Sequence, residues 1–161
     1  MNELTWISHG EDDTARLGRA LAEVLPPRTV VALVGTLGAG KTRLVQAVAE
    51  GAGIDRQEVV SPTFVLLQEY HGRRSIYHLD TYRLRNEEEL LQLGLDELIA
   101  GGDLVLIEWA DRFPHCLPAQ HVEVRIEVTG PTERTITVVA HGAPLQAAIG
   151  QLAQRLGVGM A

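Results

Sequence analysis

The chain has 161 residues, with 14 Lys and Arg against 21 Asp and Glu, for a formal charge of −7. That length fits one domain spanning residues 1–161 with a sizeable core. The acidic balance, with no run of basic residues, argues against strong direct binding to a nucleic-acid backbone, which needs clustered Lys and Arg. It leaves room for work inside a larger assembly that holds RNA. One cysteine, Cys116, rules out an internal disulfide and a cysteine metal cluster. The start Met1-Asn2-Glu3-Leu4 has neither a basic segment nor an apolar one, and no stretch approaches membrane-spanning length. The expectation is a reduced, cytoplasmic protein with no membrane association.

Taken in chain order, residues 14–25 read as a helix, with Asp12 or Asp13 as cap and Pro26-Pro27 as terminator. Residues 30–34, Val-Val-Ala-Leu-Val, form a short apolar run that suits a strand buried on both faces. Gly35-Thr36-Leu37-Gly38-Ala39-Gly40-Lys41-Thr42 follows and fits G-x-x-x-x-G-K-[ST], the phosphate-binding loop of P-loop nucleotidases. Leu44, Val45 and Val48 then recur at helical spacing, with Gly51 and Gly53 as stops. A strand, a glycine loop and a helix thus occur in the order the motif requires. A plain strand–turn–helix would not need all of the matched positions. In such a loop the glycines let backbone N–H groups curl around phosphate oxygens, and the helix N-terminus adds partial positive charge. Lys41 would reach the β- and γ-phosphates, and the Thr42 hydroxyl would hold Mg²⁺.

Ser61-Pro62-Thr63 reads as a loop whose hydroxyls could touch phosphate, metal or water, or merely make a polar turn. Residues 65–70 and 75–79 read as two strands of a hairpin around His71-Gly72-Arg73. Residues 87–99 have helical spacing, with Gly94 as a break or bend. Residues 104–107 are a second unbroken apolar run, hence a second central strand. Residues 122–128 and 134–140 alternate as strands, and 144–156 close as an amphipathic helix. The expected class is α/β: a three-layer P-loop NTPase-like fold whose mixed parallel and antiparallel sheet is flanked by helices.

Hydrolysis needs carboxylates as well as a P-loop, to hold Mg²⁺ and orient water. Glu108 directly follows the apolar run 104–107, where a Walker-B acid belongs. Asp80 ends the strand before it and reads equally well as a turn-capping carboxylate. His78 is a candidate base, although a lone strand histidine is more often structural. Ligands of α/β sheets lie at the carboxyl ends of parallel strands, which should bring the P-loop and Glu108 together. Trp109, Tyr82 and Arg83 read as either contact residues or packing.

As a set, Gly35-x-Leu37-Gly38-Ala39-Gly40-Lys41-Thr42, Ser61-Pro62-Thr63-Phe64, His78-x-Asp80-x-Tyr82-Arg83-Leu84, Glu87-Glu88-Glu89-Leu90 with Gly94, and Ile107-Glu108-Trp109 resemble the TsaE (YjeE) family. The resemblance covers nearly the whole chain. It departs at Thr36, where the family usually has Asp, and at Val65, where it often has Thr. The family is the ATPase of bacterial tRNA threonylcarbamoyladenosine (t6A) biosynthesis. It acts with TsaB and TsaD, which transfer a threonylcarbamoyl group to the adenosine beside the anticodon. ATP hydrolysis resets that complex between turnovers. The resemblance implies Mg²⁺ as cofactor, held by Thr42 and Glu108, and ATP as substrate, bound by Leu37, Gly38, Ala39, Gly40, Lys41, Thr42, Ser61 and Thr63. It implies catalytic roles for Asp80, Glu108 and Lys41, and a base pocket around Glu11. tRNA would be met only through the complex. No Asn-Lys-x-Asp motif for guanine is present. The rival readings are a small P-loop kinase and a nucleotide-gated scaffold with negligible hydrolysis. A kinase would need an acceptor pocket and usually an arginine-bearing lid, and here only Arg83, Arg85 and Arg112 are scattered through the relevant stretch.

Overall fold

The computed structural model describes residues 2–36, 38–60 and 66–159. In chain order it contains β1 (Glu3–Ser8), α1 (Glu11–Val24), β2 (Thr29–Gly35), α2 (Lys41–Gly51), β3 (Leu67–His71), β4 (Ser75–Asp80), α3 (Glu87–Gln92), α4 (Leu95–Gly101), β5 (Leu104–Glu108), β6 (His121–Val128), β7 (Arg134–His141) and α5 (Ala143–Leu156). Seven strands form one mixed sheet in the order β1-β7-β6-β2-β5-β4-β3.

The two apolar runs lie side by side at the centre. β2 is parallel to β5 and to β6, and β4 is parallel to β5. The outer pairs β3–β4, β6–β7 and β1–β7 are antiparallel. Successive side chains of a strand point to opposite faces, so a run that is apolar at every position can serve two cores. Val31 and Leu33 of β2 join Leu104 and Leu106 of β5 in a cluster with Leu17, Leu21, Leu44 and Val48. Val30, Ala32, Val105 and Ile107 face the other way, onto Leu79, Leu90 and Leu95. Helices α1, α2 and α5 therefore cover one face and α3 and α4 the other, which is the three-layer arrangement expected. Gly18 of α1 sits where a Cβ would lie 2.3 Å from that of Ala47, so glycine lets α1 and α2 approach closely.

Three elements differ from the sequence reading. β1 was not expected. It points Leu4, Trp6 and Ser8 inward and leaves Ile7 outward, so its alternation carries only two inward apolar residues. Helix α1 starts at Glu11 rather than Thr14, and neither Asp12 nor Asp13 caps it. Gly10 occupies the cap position, and Ser8 Oγ bonds both Gly10 O and Thr14 Oγ1 at 2.7 Å. The acidic run Glu11-Asp12-Asp13 lies in the first turn, where it complements the helix dipole. The helical stretch 87–99 breaks at Gly94, one of the two outcomes read from the sequence: Gly94 takes φ +80 and starts α4 afresh. Strand β3 begins at Leu67, and Val65 lies outside the described residues. Among the described residues no helix is long and apolar enough to cross a membrane.

Candidate nucleotide site

The loop after β2 owes its shape to glycine. Gly38 and Gly40 have φ of +80 and +112, a region that costs other residues a steric clash. Gly40 precedes α2 without a capping side chain, so no side chain of its own competes for the first amide groups of that helix. Such a free N-terminus on an eleven-residue helix attracts anions. Leu37 lies outside the described residues, as do Ser61 and Thr63, so the loop reading of those two positions rests on sequence alone.

Lys41 is buried, and its ammonium donates to the carbonyls of Gly35 at 2.7 Å and Thr36 at 2.9 Å. The same nitrogen stands 3.8 Å from the centre of the Trp109 ring. Burial pushes the Lys41 pKa down, while Glu108, Asp80 and Asp111 pull it back up. Trp109 itself takes φ +62, which is uncommon for a bulky residue, and packs on Tyr82 with ring centres 4.9 Å apart. Local strain of this kind clusters at functional sites.

Register places the carboxylates. Leu33 of β2 pairs with Glu108, and Asp80 pairs with Glu108 across β4–β5. The P-loop, Asp80 and Glu108 therefore meet at the carboxyl ends of three adjacent parallel strands. The Thr42 hydroxyl donates to Glu108 Oε2 at 3.2 Å and Oε1 at 3.3 Å. Glu108 is buried, and His78 Nε2 lies 2.5 Å from its Oε2. His78 is fully enclosed, and its Nδ1 is 3.3 Å from the Tyr70 hydroxyl. Thus His78 fixes one carboxylate oxygen from behind, a link its lone position in sequence did not reveal. Thr42 and Glu108 offer converging oxygen atoms, those of Glu108 buried and that of Thr42 half-buried. That donor set fits Mg²⁺, which prefers oxygen ligands and keeps several waters.

Asp80 is buried, and its Oδ1 accepts the Tyr82 amide at 2.9 Å. Burial raises its pKa; the Tyr82 amide lowers it, Glu108 raises it further, and His78 and Lys41 lower it. The folded protein therefore favours the protonated acid more than the unfolded chain does. The stability tied to that proton is complete below the ordinary carboxyl range and is lost as pH rises through the raised value. Asp80→Asn, a mimic of the protonated acid, should melt at or above the native protein at neutral pH. The gap should close on acidification below the ordinary carboxyl range. A lower melting point at neutral pH would instead make ionised Asp80 a structural anchor.

A cavity of about 350 Å³ opens beside the loop, lined by Glu11, Thr14, Gly38, Gly40, Arg43 and Arg134 among others. Glu11 therefore shares a cavity with the glycine loop. Arg134 Nε donates to Ala39 O at 3.0 Å and braces the loop from β7. Sequence reasoning missed that contact, since Arg134 reads simply as the first residue of an alternating strand. Arg43 approaches Glu50 at 3.6 Å and Glu11 at 3.9 Å. Thr81 Oγ1 donates to the carbonyls of Glu108 and Trp109 at 3.0 and 2.9 Å, which fixes the turn after β5.

Comparison with known proteins gives a consistent result. Residues 8–136 match the model of a family described as threonylcarbamoyl adenosine biosynthesis protein TsaE. A tRNA threonylcarbamoyladenosine biosynthesis protein TsaE from Treponema pallidum is 41% identical over 132 residues, covering 82% of this chain and 97% of that protein. The protein of the same name from Bacillus subtilis is 39% identical over 143 residues, covering 88% and 89%. The crystal structure of Bacillus subtilis YdiB superposes with a TM-score of 0.80 at 31% identity, covering 94% of this chain and 95% of that one. With most of its length matched in this way, the chain belongs to the TsaE family.

Proposed function

We propose that this protein is a Mg²⁺-dependent ATPase of tRNA threonylcarbamoyladenosine biosynthesis, weak alone and dependent on TsaB and TsaD. The observation that carries the reading is the Thr42 hydroxyl on the Glu108 carboxylate, with Lys41 behind it and Asp80 beside it. ATP phosphates would lie on the backbone of Gly38, Ala39 and Gly40 with the base in the cavity at Glu11, and the family resemblance adds Ser61 and Thr63 to the nucleotide ligands. Thr42 and Glu108 would hold Mg²⁺, which when bound neutralises phosphate charge. Lys41 would exchange its two carbonyl partners for β- and γ-phosphate oxygens. Asp80 would accept a proton from water as the water oxygen bonds to the γ-phosphorus. The bond from that phosphorus to the bridging oxygen breaks, and ADP and phosphate leave. A raised pKa suits a proton acceptor, because it makes the carboxylate a stronger base.

The acidic chain would meet tRNA only through its partners, in the cytoplasm, with little direct nucleic-acid binding. The test is tRNA threonylcarbamoylation over several turnovers with TsaB and TsaD, with and without this protein, alongside phosphate release. The expected result is product beyond one round only when this protein and ATP are both present. Phosphate transfer to a small acceptor, or full turnover without the protein, would overturn the reading.

A further inference from the structure

The sheet carries a second cluster of metal-ligating side chains, far from the P-loop. His121 opens β6 and His141 closes β7, and the two are direct cross-strand partners. Glu123 lies two residues along β6 and so shares a face with His121. The three ligand atoms all lie within 4.8 Å of one another. Because β6 runs parallel to β2, this cluster sits at the amino end of β6, whereas the P-loop leaves the carboxyl end of β2 beside Ile126.

Each donor is already prepared. His121 Nδ1 lies 2.8 Å from the Pro118 carbonyl, which can only accept, so Nδ1 carries the proton and Nε2 presents a lone pair. A ring N–H held by a backbone carbonyl is the usual support behind a metal-bound histidine. The His121 and His141 rings stack with centres 4.4 Å apart, an arrangement that disfavours two imidazolium cations. His141 Nε2 is shielded from solvent, makes no hydrogen bond and lies 3.6 Å from Glu123 Oε2. A shielded ring nitrogen without a hydrogen bond is costly unless something takes its lone pair or proton. Arg125 pairs with the other oxygen of Glu123, Oε1, and leaves Oε2 for the cluster.

We propose that His121, Glu123 and His141 bind Zn²⁺ as a two-histidine, one-carboxylate site that ties β6 to β7. Imidazole and carboxylate donors suit this ion, and three protein ligands leave a fourth position for water. With bonds of about 2.0–2.1 Å, tetrahedral ligands stand roughly 3.4 Å apart, so the side chains close in by small rotations. Binding to the folded chain alone would raise its stability by mass action. The site is independent of the nucleotide chemistry.

The test uses the full-length chain stripped of metal, with Zn²⁺ uptake read by equilibrium dialysis and Co²⁺ as a visible-absorbing substitute. The native protein should take up one Zn²⁺ per chain, melt higher with it, and give the intense d–d bands of low-coordinate Co²⁺. His121→Ala and His141→Ala should each weaken uptake by at least about tenfold. His141→Gln serves as a second variant, and retained ATP binding shows that each variant is folded. Glu108→Gln should keep the Zn²⁺ stoichiometry and the Co²⁺ bands. Absence of uptake by the native chain, uptake unchanged in both histidine variants, or loss of uptake in Glu108→Gln would overturn the proposal. The cluster would then be a stacked histidine pair beside an ion pair.

Discussion

Lys41→Ala should weaken ATP binding by on the order of ten- to a hundredfold, the cost of losing a charge-assisted contact to phosphate. Hydrolysis should fall further, by roughly another hundredfold or more, because negative charge on the transferring group must be stabilised in the transition state. The Lys41 side chain is already placed for this role. Its ammonium is held by Gly35 and Thr36 carbonyls under the Trp109 ring, already desolvated and aimed from within the loop. The positive-φ glycines and the start of α2 remain, so weak residual binding is part of the expectation. Titration with ATP and phosphate release measure the two effects. Unchanged affinity and turnover would remove the basis of the nucleotide reading.

Asp80→Asn should separate binding from chemistry. Asparagine keeps an oxygen for the Tyr82 amide, and the neutral form is the one the buried position tolerates best. The protein should stay folded, bind ATP within a few-fold of native affinity and still dock on its partners. Loss of the proton acceptor should cut hydrolysis by roughly a hundred- to ten-thousandfold. Repeated tRNA modification should stop after the first round. The measurement is paired, with affinity by titration and product per complex over time. Loss of ATP binding would move Asp80 into the metal shell, and normal turnover would reduce it to a turn residue.

How much of this was legible in the sequence depended on how local the signal was. The P-loop was readable because its glycines, lysine and threonine fall within the eight-residue run 35–42 between a strand and a helix of the right pattern. Glu108 was readable because the apolar run before it admits few readings besides a central strand. Asp80 was ambiguous alone, since its value comes from register with Glu108 across two strands. His78 and Arg134 gave no local sign of their contacts. One reaches Glu108 across thirty residues and the other reaches Ala39 across ninety-five. β1 escaped notice because a short strand with one inward serine has a weak alternation, and its identity depends on β7.

The strand order also bears on how the chain emerges from the ribosome. β2 is made early, yet both strands that flank it, β5 and β6, are encoded downstream. The phosphate loop therefore leaves the exit tunnel long before its supporting sheet exists. β1 waits longest of the seven strands: it precedes the other six in the chain, and its neighbour in the sheet is β7, which follows them all. Until residues 134–139 appear, Leu4 and Trp6 lie on an unpaired edge, the kind of exposure that invites premature association. That exposure ends only when β7 closes on β1 and joins early and late parts of the chain in one sheet edge.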